Sequence, residues 1–182
     1  MREPAVRLAA AGDIPAVLRL QGENLLTNVP EGQRPGGFVT TAFTPELLQT
    51  LVDRGHAFVA MGEALQGYAL CGAWDFYFQW PIFRHMASRF PGLSVEGRAL
   101  DVRTSFQYGP VCIRREARGR GLLPLLFDFQ RAQMASEFSV GITFINELNR
   151  RSLEAHERKL GLSIVDRFDY LGHRFATLAF PC

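Results

Sequence analysis

The sequence predicts an α+β fold: a mixed, mostly antiparallel sheet of about seven strands, flanked by helices. Three observations carry that prediction. Short β-rich runs and helical stripes alternate along the chain instead of segregating into halves. Several neighbouring runs are joined by connections short enough for hairpins. One pair of runs, SFQYGPVCI and VGITFI, is separated by a helix long enough for a parallel crossover. Hydrophobic residues make up 47% of the 182 positions, enough for one domain spanning 1–182 to bury a proper core.

The first strand falls at 5–10 (AVRLAA), which alternates weakly. GDIPAVLRLQGENLL then reads as a helix, with Asp13 as its cap and Pro15 in the first turn. Ile14, Val17, Leu18 and Leu25 share one face of it. TPELLQTLVDRG repeats the grammar: Thr44 caps, Pro45 starts and Gly55 terminates. AFVAMG and GYALCGAWDFY follow as strands paired across a short turn. Residues 78–104 have no clean period. They are aromatic and basic first and turn-rich later, and read as an insertion holding one short helix near 82–89. The strand 105–113 leads to RGRG at 118–121 and then to a helix. Its Leu122, Leu125, Leu126 and Phe129 stand at i, i+3, i+4 and i+7, a stripe meant for a sheet. The strand VGITFI, the helix NRRSLEAHERKLG and two closing strands near 163–169 and 174–180 complete the chain.

Composition excludes several classes. With 20 basic against 18 acidic residues the net charge is only +2, so nothing pulls the whole chain toward nucleic acid. The N-terminus lacks the apolar stretch of a secretory signal, and no window reaches a membrane span. Cys71, Cys112 and Cys182 are odd in number and far apart, which fits neither a disulfide framework nor zinc-ligand spacing. The expectation is a soluble, cytoplasmic, reduced protein without a metal, a membrane partner or a nucleic-acid partner. A homodimer is left open.

The stretch ARGRGLLPLL sets two arginines and two glycines against the start of an apolar helix. A helix start leaves backbone N–H groups without partners and carries partial positive charge. Glycines there let a ligand approach closely, and the flanking Arg114, Arg115, Arg118 and Arg120 add charge, so the stretch suits a diphosphate. A merely solvated basic helix start explains it equally well. The lysine and hydroxyl of a P-loop are absent, and two glycines fall short of the dinucleotide fingerprint.

VCIRREARGRGLL resembles the acyl-CoA signature of the GNAT superfamily of N-acyltransferases, in which Arg or Gln is followed after two residues by Gly-x-Gly/Ala. Arg118 and Gly121 match; Leu123 stands where a small residue is usual, and Pro124 follows. NRRSLEAHERKLGL is similar to the family's downstream block through Asn149, Ser152, His156 and Leu160-Gly161. Its interval to Leu-Gly is one residue longer than the commonest form, and Leu162 replaces an aromatic residue.

The resemblance implies a GNAT-like sheet with a splayed parallel pair of central strands, 105–113 and 139–146, and acetyl-CoA as co-substrate. It implies that Val111, Cys112 and Ile113 face the pantetheine. The turn of Arg118, Gly119, Arg120, Gly121, Leu122 and Leu123 would hold the pyrophosphate. Asn149 and Ser152 would bind the cofactor too, although Asn149 is equally a helix cap. The implied activity is N-acetylation of a primary amine, on a small molecule or a peptide, by direct attack on the thioester. His156, seven residues after Asn149, stands where relatives place the tyrosine that protonates the leaving thiolate; it is equally a core histidine. Tyr108 is a second donor, and Glu147 the nearest carboxylate for the base role, with water-mediated deprotonation alongside. Cys112 is read as a small buried strand residue and no nucleophile. Trp80 and Arg84, in the insertion, are the candidates for acceptor binding, and Arg84 with Arg89 hints at an acidic acceptor. Two rival readings stand beside the enzyme: a catalytically silent acyl-CoA-binding module or sensor, and a small nucleic-acid-binding domain using Arg114–Arg120.

Overall fold

Strands at Ala5–Leu8 (β1), Ala57–Met61 (β2), Leu65–Gly72 (β3), Ser105–Ile113 (β6), Val140–Asn146 (β7), Ser163–Tyr170 (β8) and His173–Pro181 (β9) form one mixed sheet. Its order is β1-β2-β3-β6-β7-β9-β8. The computed structural model describes residues 4–182. Two short strands, Ser94–Val95 (β4) and Arg98–Ala99 (β5), pair separately. The helices are Ile14–Asn24 (α1), Pro45–Asp53 (α2), Trp74–Tyr77 (α3), Pro81–Ala87 (α4), Leu122–Met134 (α5) and Arg150–Glu154 (α6). The parallel pair expected at the centre is β6 with β7, in register from Ser105↔Val140 to Gln107↔Ile142. The chain groups into two compact units, and β6 gives its first four residues to one and its last five to the other.

The first unit holds the segment ending at Arg34 together with Phe38–Cys71 and Gly109–Gln133. β1, β2 and β3 run antiparallel, from Ala5↔Met61 through Ala57↔Leu70. Phe58, Val59, Ala60, Tyr68, Ala69 and Leu70 are all buried, so β2 and the second half of β3 read as unbroken apolar runs, whereas β1 is mostly exposed. Helix α5 lays the Phe129 ring edge-on to Phe58, with centroids 6.1 Å apart, and its Gln130 carbonyl accepts the Cys71 thiol at 3.0 Å. Helix α2 is built as expected: Thr44 caps it through the Leu47 N–H and Pro45 starts it.

Asp13 differs from its expected role. Its carboxylate reaches back to the Ala10 N–H at 2.8 Å and pairs with Arg7 at 2.7 Å, holding its carboxyl below the usual range. It therefore closes the turn before α1 and does not cap the helix. Leu25 is also not on the α1 face: it follows the helix and bridges Val39, while Leu20 and Gln21 are buried in its stead. Gln21 bonds both the N–H (2.9 Å) and the carbonyl (3.0 Å) of Phe43, which fixes the segment before α2.

The second unit comprises Pro35–Gly37, Gly72–Tyr108 and Met134–Cys182. The run GYALCGAWDFY is no single strand: it turns helical at Trp74, because the indole is buried with its Nε1–H on Ser105 Oγ at 3.0 Å. Residues 78–104 hold the expected short helix, at Pro81–Ala87, and also the β4–β5 hairpin. Tyr77, Phe83, Phe144, Phe168 and Phe175 build an aromatic core, with Phe83 edge-on to Phe144 at 5.1 Å. Arg89 grips Asp166 of β8 with two hydrogen bonds.

The β8–β9 hairpin turns on Leu171-Gly172, with φ of +47° and +78°. Two positive φ values in a two-residue loop define a type I′ turn, where asparagine is favoured and a leucine is strained by about 1 kcal/mol. The Leu171 side chain is 82% exposed, so it recovers little through packing. Leu171→Asn should therefore stabilise the protein by about 0.5–1 kcal/mol and raise the melting midpoint by roughly 1–4 °C. A midpoint that stays put or falls would show that the turn is unstrained.

Candidate functional site

In the first unit, the end of β6 leads through a single 3₁₀ turn at Arg115–Ala117 into the glycine-rich turn and α5. Gly119 and Gly121 sit at φ of +80° and +81°. A Cβ at either would meet nothing within 4 Å, so glycine is needed for backbone conformation and the space beside it is open. The N–H groups of Gly119, Arg120 and Gly121 bond no other part of the chain among the described residues. Leu122 and Leu123 add the donors of the first helical turn, and Pro124 has none. Buried Leu122 and Leu126 anchor the helix below.

The four arginines of this segment divide in two. Arg118 donates Nε–H to the Ile113 carbonyl at 2.9 Å and an Nη–H to Asn24 at 3.0 Å, which ties the turn to β6 and α1. Arg114 donates to the Leu65 carbonyl at 3.1 Å and belongs to the β3 edge. Arg115 and Arg120 are exposed and form no ion pair among the described residues. Val111 and Ile113 are half-buried, and Cys112 is 5% exposed. Burial pushes the Cys112 thiol up to about 12, so it stays protonated at neutral pH and is a poor nucleophile.

The second unit gathers Tyr108, Asn149, Ser152 and His156. Asn149 caps α6 by accepting the Ser152 N–H at 3.4 Å. Beyond Glu154 the helix widens into a π turn at Ala155–Lys159, where the Leu160 N–H reaches back five residues to the Ala155 carbonyl. The π turn carries His156, which is buried with its ring 5.7 Å from that of Tyr108. The His156 Nδ1 lies 2.7 Å from the Ser152 carbonyl. A carbonyl only accepts, so Nδ1 carries the proton, and the neutral ring keeps its lone pair on Nε2. Burial lowers the His156 pKa and the bond to Ser152 opposes that, with burial the larger effect.

Glu147 is engaged elsewhere: Arg167 donates to one of its oxygens at 3.0 Å and Arg174 stands 3.6 Å from the other. Sequence reading passed over these two arginines, because they come 20 and 27 positions later on separate strands and leave no local signal. Trp80 is half-buried at the start of α4, with ring contacts to Phe76, Tyr77 and Phe83 at 5.9 Å each. The Arg84 Nε–H is held by the Phe78 carbonyl. No group of three or more histidine, cysteine or acidic side chains placed to hold a metal ion occurs among the described residues. No helix there is long and apolar enough to cross a membrane.

No protein-family model matches the chain, and no curated protein matches it by sequence. Solved structures do. An N-acetyltransferase from Staphylococcus aureus Mu50 is 15% identical, with a TM-score of 0.65 over 99% of each chain. A GNAT superfamily phosphinothricin acetyltransferase from Sinorhizobium meliloti, in complex with acetyl-CoA, is 18% identical with a TM-score of 0.65, over 99% of this chain and 89% of that one. A ribosomal-protein-alanine N-acetyltransferase from Brucella melitensis is 19% identical with a TM-score of 0.60, over 98% and 99%. The chain has the fold of these acetyltransferases.

Proposed function

We propose that this chain, acting as a single domain over 1–182, is an acyl-CoA-dependent N-acyltransferase that moves an acetyl group from acetyl-CoA to a primary amine by direct attack. The observation that carries the reading is the turn Arg118–Leu123. Two glycines at positive φ open a row of unpartnered N–H groups into free space at a helix start, in a fold shared with N-acetyltransferases along nearly the whole chain. Such a turn suits a diphosphate. Arg120 and Arg115 are the cations free to add to it. Arg118, fastened to Ile113 and Asn24, keeps the turn in shape.

Acetyl-CoA supplies an activated thioester. Transfer forms a C–N bond and breaks a C–S bond, so one proton must leave the amine nitrogen and one must reach the sulfur. We assign the sulfur's proton to His156. Neutral His156 has a bare Nε2, so it must take up a proton before it gives one, and the amine is the source that closes the balance. Glu147, with an arginine at each carboxylate oxygen, is ill-suited to be the base. Tyr108 is the alternative donor. The similar structures are named for a small molecule and for a ribosomal protein's alanine, which supports a small-molecule or peptide amine as acceptor, with Trp80 and Arg84 on its side. Three cysteines that form no disulfide among the described residues fit a reducing compartment such as the cytoplasm.

Acetyl-CoA at a hundred times its dissociation constant should stabilise the protein by about 2.7 kcal/mol. That raises the melting midpoint by roughly 5–10 °C, whereas ATP and NAD should do much less. No shift at millimolar acetyl-CoA would overturn the assignment. A shift without release of the CoA thiol in the presence of any amine would favour the silent acyl-CoA-binding module.

A further inference from the structure

An open basin of about 700 Å³ lies in the second unit, between the end of β7 with the start of α6 and the β8–β9 hairpin. Its wall carries Arg150, Arg167, Arg174 and His173 against a single carboxylate, Glu147, with Leu148 as an apolar neighbour. Backbone and side chains preset the arrangement. The Glu147 N–H is bonded to the Arg174 carbonyl at 2.9 Å, which fastens β7's end to the hairpin. Glu147 then meets Arg167 and Arg174 at their Nε atoms, and the Nη groups of both have no bond among the described residues. Asp169 stands directly across from Arg174 in the β-ladder but forms no ion pair with it among the described residues. Arg150 makes no ion pair there at all. Three guanidinium groups against one carboxylate leave the wall short of two negative charges. By contrast Arg89, which with Arg84 hints at an acidic acceptor in the sequence, is already paired with Asp166.

We propose that this basin binds a carboxylate and that, on the acyltransferase reading on which the second half of this proposal rests, the carboxylate belongs to the acceptor amine. Planar guanidinium forks match a carboxylate in bidentate geometry. Glu147 holds two of those forks by their Nε edge and so turns their remaining donors to a second anion. Leu148 offers apolar contact to the carbon skeleton beside it.

The test is a calorimetric titration of the full chain with glutarate, with glutaramide and with inorganic phosphate, repeated on Arg150→Glu and on Arg103→Gln. Arg150 is exposed and unbonded, so the first variant should fold, which the melting midpoint checks; Arg103 pairs only with Asp101 and serves as the control. Glutarate should bind, glutaramide at least tenfold more weakly, and Arg150→Glu should weaken glutarate about tenfold or more. Arg103→Gln should leave it unchanged. Equal binding of glutarate and glutaramide, or of glutarate to wild type and Arg150→Glu, overturns the proposal. Phosphate binding tenfold tighter than glutarate overturns the carboxylate assignment. In turnover, 4-aminobutanoate should outperform 4-aminobutanamide, and Arg150→Glu should raise the KM of the acid and leave that of acetyl-CoA level. Glutarate binding without an acetyl-CoA shift would sink the acyltransferase reading alone; an acetyl-CoA shift without glutarate binding would sink the basin alone.

Discussion

Gly141→Ala should destabilise the protein by about 3 kcal/mol and lower its melting midpoint by roughly 6–12 °C. Gly141 lies in β7 directly opposite Phe180 of β9. A Cβ there would stand 2.1 Å from Phe180 Cζ and 2.5 and 2.6 Å from the two Cε atoms, inside the end of the ring. The ring has no room to retreat. It is 3% exposed and meets Phe106 and Tyr108 edge-on, at 5.9 and 5.5 Å. The strain must therefore move one strand against the other, in a ladder running from Val140 to Asn146. Overpacking of a tight core costs about 1–3 kcal/mol, and this contact belongs at the upper end. Trimming the ring should relieve it, so Gly141→Ala made in a Phe180→Leu background should cost less than half as much. Denaturant titrations of the four proteins measure both quantities. A Gly141→Ala cost below 1 kcal/mol would mean that Phe180 does not fill the space over β7.

His156→Phe should lower kcat by about 10²–10⁴-fold while leaving acetyl-CoA affinity nearly level. The same variant has a signature in stability. Burial holds the folded-state pKa of His156 below its unfolded value of about 6.5. The unfolded chain thus takes up the proton first as the pH falls. The contribution of His156 is fully present above pH 6.5 and is lost as the pH drops through the folded pKa, with a slope of at most about 1.4 kcal/mol per unit. His156→Phe should remove that part of the acid-side slope. It also removes the bond to the Ser152 carbonyl, at about 1 kcal/mol. A purely structural histidine would show the stability changes with kcat intact, and that result would pass the donor role to Tyr108.

Much of the architecture is legible in the sequence because it rests on local signals. Thr44-Pro45 opens α2, Leu122 and Leu126 bury α5 as their spacing predicts (Leu125 of the same stripe is 50% exposed and Phe127 is buried in its stead), and the turn at Gly119 and Gly121 separates β6 from it. What escapes reading is decided by partners distant in the chain. Trp74 ends a strand because Ser105, 31 positions later, takes its indole N–H. Asp13 looks like a cap until Arg7 claims its carboxylate. The same holds for the site. Glycines and arginines around 118–121 stand out in any reading, yet nothing local says that Arg118 and Arg114 are tethers while Arg115 and Arg120 are free. Glu147 is the nearest carboxylate in sequence, and only the β8–β9 hairpin reveals that two guanidinium groups hold it. The β4–β5 hairpin, which turns on Glu96-Gly97, has strands of only two residues each, too short to show any alternation. It was hidden by the lack of period around it.

The π turn at Ala155–Lys159 also bears on how much variation in length this helix can absorb. One added residue in a regular helix would rotate everything beyond it by about 100°. Here the wide turn swallows the residue: Gly161 still ends the helix at φ +72°, and Leu162 still enters the core at 2% exposure.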